Sequence, residues 1–204
     1  MNEAQKVALG YALGLVATAA QVGYSLWIGP QPKAEQPAPS LAVWLANQLG
    51  FWALAWLTAT LACSPLRYWT GAKWPAVWRK RFGLTAFALA CLHVTVWLVG
   101  EKRADLAAVG ADFAEKPWLV FGLLTFLLLI TLAVTTPIGV VKRLGGVRWQ
   151  HVHRLIYPAG LLAILHYALR DDADAQHWIG FALLISLLLW ARRYPPTLKM
   201  GRRH

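Results

Sequence analysis

Six long apolar stretches constrain what this chain can fold into more than any other feature. They run over residues 7–28, 43–63, 82–99, 118–136, 151–169 and 178–191. Most approach the ~20 residues that a helix needs to cross a bilayer at ~1.5 Å rise per residue. Inside hydrocarbon every backbone N–H and C=O must find its partner within the protein, which a single apolar segment achieves only as a helix. The sequence therefore predicts an all-α integral membrane six-helix bundle, a single domain over residues 1–204. The last stretch is short, but Arg192 and Arg193 can snorkel from its end. The first has a longer apolar core than the ~7–15 residues of a signal peptide, and its front carries only Lys6, so it reads as a retained helix. Internal repeats are absent, and one short Pro-rich loop, "GPQPKAEQPAPS", separates the first two stretches.

Charge sets the orientation. Only 14% of the residues are charged and 58% are hydrophobic, against about 25% charge in a soluble domain. The net charge of +11 would suit nucleic acid only if it formed a basic face on a soluble domain. Here the basic residues fall between apolar runs, so the lipid bilayer is the expected partner and nucleic acid is not. Residues 64–81 hold Arg67, Lys73, Arg79, Lys80 and Arg81 without an acid. Residues 137–150 hold Lys142, Arg143 and Arg148, again without one, and the tail holds Arg192, Arg193, Lys199, Arg202 and Arg203. The alternate loops differ: residues 101–116 mix three basic with four acidic residues, and residues 170–177 carry three Asp against one Arg. Basic loops on every second connection follow the positive-inside rule. Both termini are expected in the cytoplasm and the acidic loops in the periplasm of a bacterial inner (cytoplasmic) membrane. Trp118, Trp149, Trp178 and Trp190 sit at span ends, as interfacial aromatics do.

Cys63 and Cys91 lie inside apolar runs and form no CxxC, CxxCH or disulfide framework, so they read as small packing residues. Without CxxCH, covalent haem attachment is not expected. The histidines are more informative. His204 lies in the basic tail and His177 at the periplasmic boundary, where a solvated ring is ordinary. His93, in "LACLHVTVW", and His166, in "LAILHYAL", have apolar neighbours on both sides. An ionisable group at membrane depth is costly and marks function by default, although a neutral His bonded to another helix is the bland alternative.

Depth arithmetic pairs these two. The third and fifth stretches both run from cytoplasm to periplasm. His93 lies roughly 10 Å before Gly100 and His166 about 6 Å before Arg170. Two imidazoles at similar height on neighbouring helices suit axial ligation of a haem between them. His153 lies about 20 Å nearer the cytoplasm and, in an ideal helix, about 140° round from His166. Pro158 intervenes and tends to kink the helix, so that angle is not binding. A second haem at His153 is conceivable, but the matching depth on the third stretch, near Arg79–Arg81, offers no His. His151 points elsewhere and reads as an interfacial ring, kept only as a candidate for the unfilled position.

Two segments, "WRKRFGLTAFALACLHVTVW" and "RWQHVHRLIYPAGLLAILHY", resemble the paired signatures of the MsrQ (YedZ) family, within the ferric reductase-like transmembrane domains. The resemblance covers about residues 9–194. It implies the haem-binding membrane subunit of a methionine sulfoxide reductase system. Electrons would come from the quinone pool or a cytosolic flavin reductase and pass through haem b to a periplasmic molybdoenzyme, MsrP. Carried over by position, His93, His153 and His166 occupy the family's histidine positions, while His151 lies outside the motif. One haem is implied, with a second open. A flavin mononucleotide is associated with the family, but no G-x-G-x-x-G or nucleotide domain here places its site.

Arg81 and Arg154, with Arg79, lie near the cytoplasmic boundary, Arg154 directly after His153 within the expected fifth helix. They could pair with haem propionates, an anionic quinone or a flavin phosphate, or simply anchor the topology. Tyr157, one turn beyond His153, could bond a cofactor or pack between helices. Three functions are therefore weighed: an electron-transfer subunit, a stand-alone ferric or cupric reductase using the acidic "RDDAD" loop for cation access, and a non-redox membrane scaffold.

Overall fold

The computed structural model describes residues 3–28 and 39–194. Most of the Pro-rich loop, and the tail residues Lys199, Arg202, Arg203 and His204, lie outside them. The described residues form helices and their connections, with no strand among them. In order these are α1 (Glu3–Ile28), α2 (Leu41–Thr70), α3 (Trp74–Thr95) continued by a π-helical segment (Val96–Glu101), α4 (Leu106–Glu115), α5 (Trp118–Val134), α6 (Ile138–Leu144), α7 (Gly146–His153), α8 (Ile156–Ala168) and α9 (Ala175–Arg193). Helices thus occupy all six predicted stretches. Among the described residues, α2, α3 with its π segment, and α9 are each long and apolar enough to cross a membrane. The pair α4–α5 passes the same test together but is bent by 113°. With its transmembrane character, the chain is a multi-pass membrane protein.

Three expectations need correction. The fifth stretch is not one helix. It breaks at Arg154–Leu155 into α7 and α8. The cause is Pro158, which has no N–H for the carbonyl four residues back, at Arg154. That carbonyl is taken instead by the Tyr157 amide at 3.1 Å, a tighter turn, before Ala159 N–H to Leu155 O at 3.0 Å restores the α ladder. Arg154 is therefore not within a helix beside His153 but at the break, and it is exposed. The predicted loops also carry helices: α4 lies within residues 101–116, and α6 and the start of α7 lie within residues 137–150. Asp105 caps α4, accepting from the Ala107 and Ala108 amides at 2.9 and 3.2 Å, which satisfies N–H groups that no helix provides for.

Leu57, Leu61, Ala86, Ala90, Leu129, Ile156, Ile164 and Ile185 form one buried cluster joining α2, α3, α5, α8 and α9. Lipid is as apolar as leucine, so close packing and interhelical hydrogen bonds, rather than hydrophobic transfer, hold such a bundle. Two such bonds tie α1 in: Tyr11 and Thr85 share one at 2.6 Å, and Trp56 Nε1–H donates to Thr18 Oγ1 at 3.3 Å. Leu123, Leu127, Leu183 and Leu187 face outward and are exposed, as side chains bathed in acyl chains would be.

Candidate functional site

His93, in the last turn of α3, and His166, near the end of α8, are brought together. Their ring centroids are 6.2 Å apart and their planes 76° apart. Each ring is half-buried. The His93 Nδ1–H donates to the Ala46 carbonyl of α2 at 2.6 Å, and the His166 Nδ1–H donates to the Trp118 carbonyl of α5 at 2.9 Å. An acceptor at Nδ1 fixes the tautomer: the proton sits on Nδ1 and Nε2 keeps its lone pair.

The two seats are built alike. Four residues after each acceptor carbonyl stands a glycine, Gly50 after Ala46 and Gly122 after Trp118. A Cβ on Gly50 would lie 3.0 Å from His93 Nδ1 and 3.1 Å from Cε1. On Gly122 it would lie 2.7 Å from His166 Nδ1 and 2.8 Å from Cε1. In a helix the carbonyl at one position meets the N–H four residues on, so a ring reaching that carbonyl must pass over that residue. Only glycine leaves room. Glycine costs about 1 kcal/mol relative to alanine inside a helix, so its use here marks a close approach. Sequence reasoning missed both glycines, although an isolated Gly in an apolar stretch is a signal of close approach.

Just after His93 the helix widens into the π segment, a feature that shifts the phase of the following residues. It lays Gly100 against α2, where an added Cβ would come within 3.0 Å of Ala42 Cβ. Just past the end of α8, Arg170 is near enough for its charge to act on both imidazoles. It bonds Asp172 through Nε and through NH2, at 3.0 and 2.6 Å, and Asn47 also donates to Asp172, at 3.3 Å. Arg170 was read only as a loop charge in the sequence.

The surroundings of His153 are different. His153 stacks on Trp149 with centroids 4.1 Å apart, and its Nε2 meets the Thr135 hydroxyl at 3.3 Å. Among the described residues no second imidazole pairs with it. His151 is exposed and its Nδ1–H donates within α7 to Val147 O at 2.9 Å. Arg81 lies over the Trp78 ring at 4.1 Å. Tyr157 carries the Arg192 guanidinium over its ring at 4.8 Å and packs against the core. His177 lies 3.3 Å from Asp174 and edge-on to Phe51.

Among the described residues, no group of three or more His, Cys, Asp or Glu side chains converges on one point, whereas a protein-held zinc takes three or four. Two imidazoles with free Nε2 atoms suit a metal whose remaining ligands come from a cofactor. With centres 6.2 Å apart, the two imidazoles are close enough that both could hold one haem iron, which would supply one-electron chemistry. The donor set and the two glycine cradles therefore fit a haem iron with two axial histidines.

A helical membrane domain that brings two imidazoles together from α3 and α8 suits a ferric reductase-like transmembrane protein. The family model described as "Ferric reductase like transmembrane component" matches residues 49–164, which take in His93 and His153 and end two positions short of His166. The protein-methionine-sulfoxide reductase haem-binding subunit MsrQ of Rhodospirillum rubrum is 40% identical over 149 residues, 73% of this chain and 72% of that protein. Its namesake in Ralstonia nicotianae is 38% identical over 152 residues, 72% of this chain and 70% of that one. This chain belongs to the MsrQ family of ferric reductase-like transmembrane proteins. The magnetosome protein MamZ of Magnetospirillum gryphiswaldense is also similar, 36% identical over 72% of this chain but only 22% of MamZ, so the same domain recurs within a longer protein.

Proposed function

We propose that this chain is the haem b-binding electron-transfer subunit of a methionine sulfoxide reductase system, with a haem held between His93 and His166. The observation that carries the reading is the 6.2 Å separation of two rings whose Nδ1 protons are committed to backbone carbonyls. The haem supplies one-electron chemistry when bound. The protein's part is to ligate the iron, fix the two ring planes and keep the site within an apolar bundle. Six crossings of a bacterial inner membrane, with both termini in the cytoplasm, put this pair in the periplasmic half. There it can serve a periplasmic MsrP-like molybdoenzyme, while a quinone or a cytosolic flavin reductase acts as donor at the other face. Flavin mononucleotide is the second cofactor of this reading. A second haem at His153 would need a trans ligand other than histidine.

Two alternatives are less well supported. A ferric or cupric reductase would use the acidic loop for cation entry. There Asp172 is engaged by Arg170 and Asn47, and Asp174 accepts from the Gln176 amide at 2.9 Å as the cap of α9. A non-redox scaffold would need the histidines only for hydrogen bonds, which Nδ1 alone supplies, and would not need the two rings brought together.

A reduced-minus-oxidised absorption spectrum of the purified protein tests the reading. Haem b bands with low-spin character are expected, and their absence ends both redox readings. Reduction of a periplasmic molybdoenzyme by the reduced protein, without free metal ion reduction, separates the first from the second.

A further inference from the structure

α4 reverses the pattern of a helix that lies against water. Leu106, 77% exposed, shares the exposed face with Ala107, Gly110, Ala111 and Ala114. At ~100° per residue these five fall within an arc of about 140°, and none of them is charged. The charge points the other way. Asp112 is buried and paired with Lys102 and with Lys116, the latter at 2.9 Å. Glu115 ends the helix at the edge of the exposed face. A helix between protein and water does the opposite, with its apolar stripe inward and its charges outward.

The geometry points to α4 as an in-plane helix of the membrane surface, with its exposed face laid on lipid acyl chains. α4 does not continue the span of α5, because the chain turns by 113° between them. α5 is 17 residues long without a charge, as a segment inside hydrocarbon must be. With α5 along the membrane normal, α4 lies within roughly 25° of the membrane plane, and its Leu106 end sits roughly 5 Å deeper than its Glu115 end. That depth is where the apolar face of an interfacial helix rests, about 5–10 Å into the boundary between headgroups and acyl chains. A protein partner matches the face poorly. Its 10 residues present on the order of 200 Å², where a stable interface takes roughly 800 Å² from each side. The assignment rests on the membrane character of the chain and not on haem ligation. α4 leads through Lys116 and Pro117 into Trp118, whose carbonyl seats His166. Lipid under α4 thereby fixes the depth of that seat.

The test uses the full-length protein in phosphatidylcholine vesicles, with Leu106→Cys and Ala114→Cys each labelled with bimane. Wild type labelled in parallel measures the contribution of Cys63 and Cys91. Lipid nitroxides should quench the label at Leu106 at least about threefold more than aqueous iodide does. The ratio of quenching by a deep nitroxide to quenching by a shallow one should be higher at Leu106 than at Ala114. Circular dichroism reports the fold, and Ala111→Cys replaces a variant that does not fold. Stronger quenching by iodide than by lipid at Leu106 places the face in water and overturns the assignment. Weak quenching by both places it under protein, a second copy of the chain included, and overturns it as well. A higher deep-to-shallow ratio at Ala114 than at Leu106 overturns the tilt on which the placement depends.

Discussion

The imidazoles of His93 and His166 stand 6.2 Å apart, centre to centre, each with Nδ1 bonded to a backbone carbonyl of the helix beside it. The chain spends two helix carbonyls and two glycines on orienting two rings. That arrangement holds each ring in one orientation, and on the proposed haem ligation several consequences can be measured.

His93→Ala and His166→Ala should each bring the low-spin bis-imidazole signal to background, because on the proposed ligation either change removes one of the two protein ligands. Electron paramagnetic resonance of the oxidised protein reads this directly. A variant that keeps the full signal would remove that pair from the site.

The glycine seats predict an order of severity. Gly122→Ala meets the His166 ring at 2.7 Å, and Gly50→Ala meets His93 at 3.0 Å. Overpacking of this kind costs about 1–3 kcal/mol, and the ring must tilt or leave its carbonyl. Gly122→Ala should lose more haem than Gly50→Ala, and the haem that remains should show shifted g values. Equal haem content and unchanged g values in both would show that the rings adjust freely.

Arg170 and Asp172 should tune the potential in opposite directions. A positive charge favours the reduced iron, so Arg170→Gln should lower the midpoint potential and Asp172→Asn should raise it. A unit charge about 10 Å away at an effective dielectric near 20 shifts it on the order of 50 mV. Redox titration of the α band checks the signs, and shifts of the same sign would refute the electrostatic account.

His153→Ala should leave the His93–His166 signal in place, since its contacts are with Trp149 and Thr135 at the other end. A pyridine haemochrome assay gives the haem-to-protein ratio of each protein. A fall by one haem assigns His153 a haem of its own, and an unchanged ratio assigns it none.

Asp112 gives a pH prediction. Burial opposes its ionisation, but hydrogen bonds and charge from Lys102 and Lys116 outweigh this and hold the carboxyl below its ordinary value. A carboxylate lowered by folding stabilises the fold fully above the ordinary range near pH ~4. That contribution fades as pH falls through the folded value. Protection of the α4 amides, taken relative to their intrinsic exchange rates, should therefore fall below about pH 4, and Asp112→Asn should remove most of that pH dependence. The same acid response in Asp112→Asn would place its origin elsewhere.

Much of this was legible in the chain itself, for reasons that are local. An apolar run must be a helix in lipid, and a histidine inside such a run stands out whatever its neighbours do. Rise per residue was enough to put His93 and His166 at one height. A kink in the fifth stretch was also anticipated, since Pro158 removes a donor wherever it lies, but not the full break at Arg154–Leu155 into two helices.

Other features had no local signal. Gly50 and Gly122 look like any glycine in an apolar run until a ring from another helix arrives over them. Arg67, Arg79 and Arg192 look like topology anchors until three helix ends bring them around one cavity. Arg170 looks like a loop charge until α8 ends beside both imidazoles. The sequence by itself determined that the chain is helical, membrane-embedded and equipped with two histidines at one depth, because those follow from composition and spacing along one axis. Which carbonyl each ring bonds, which glycine yields to it and which charges surround it were decided only by tertiary structure, because they depend on the rotation and separation of helices that lie far apart in the chain.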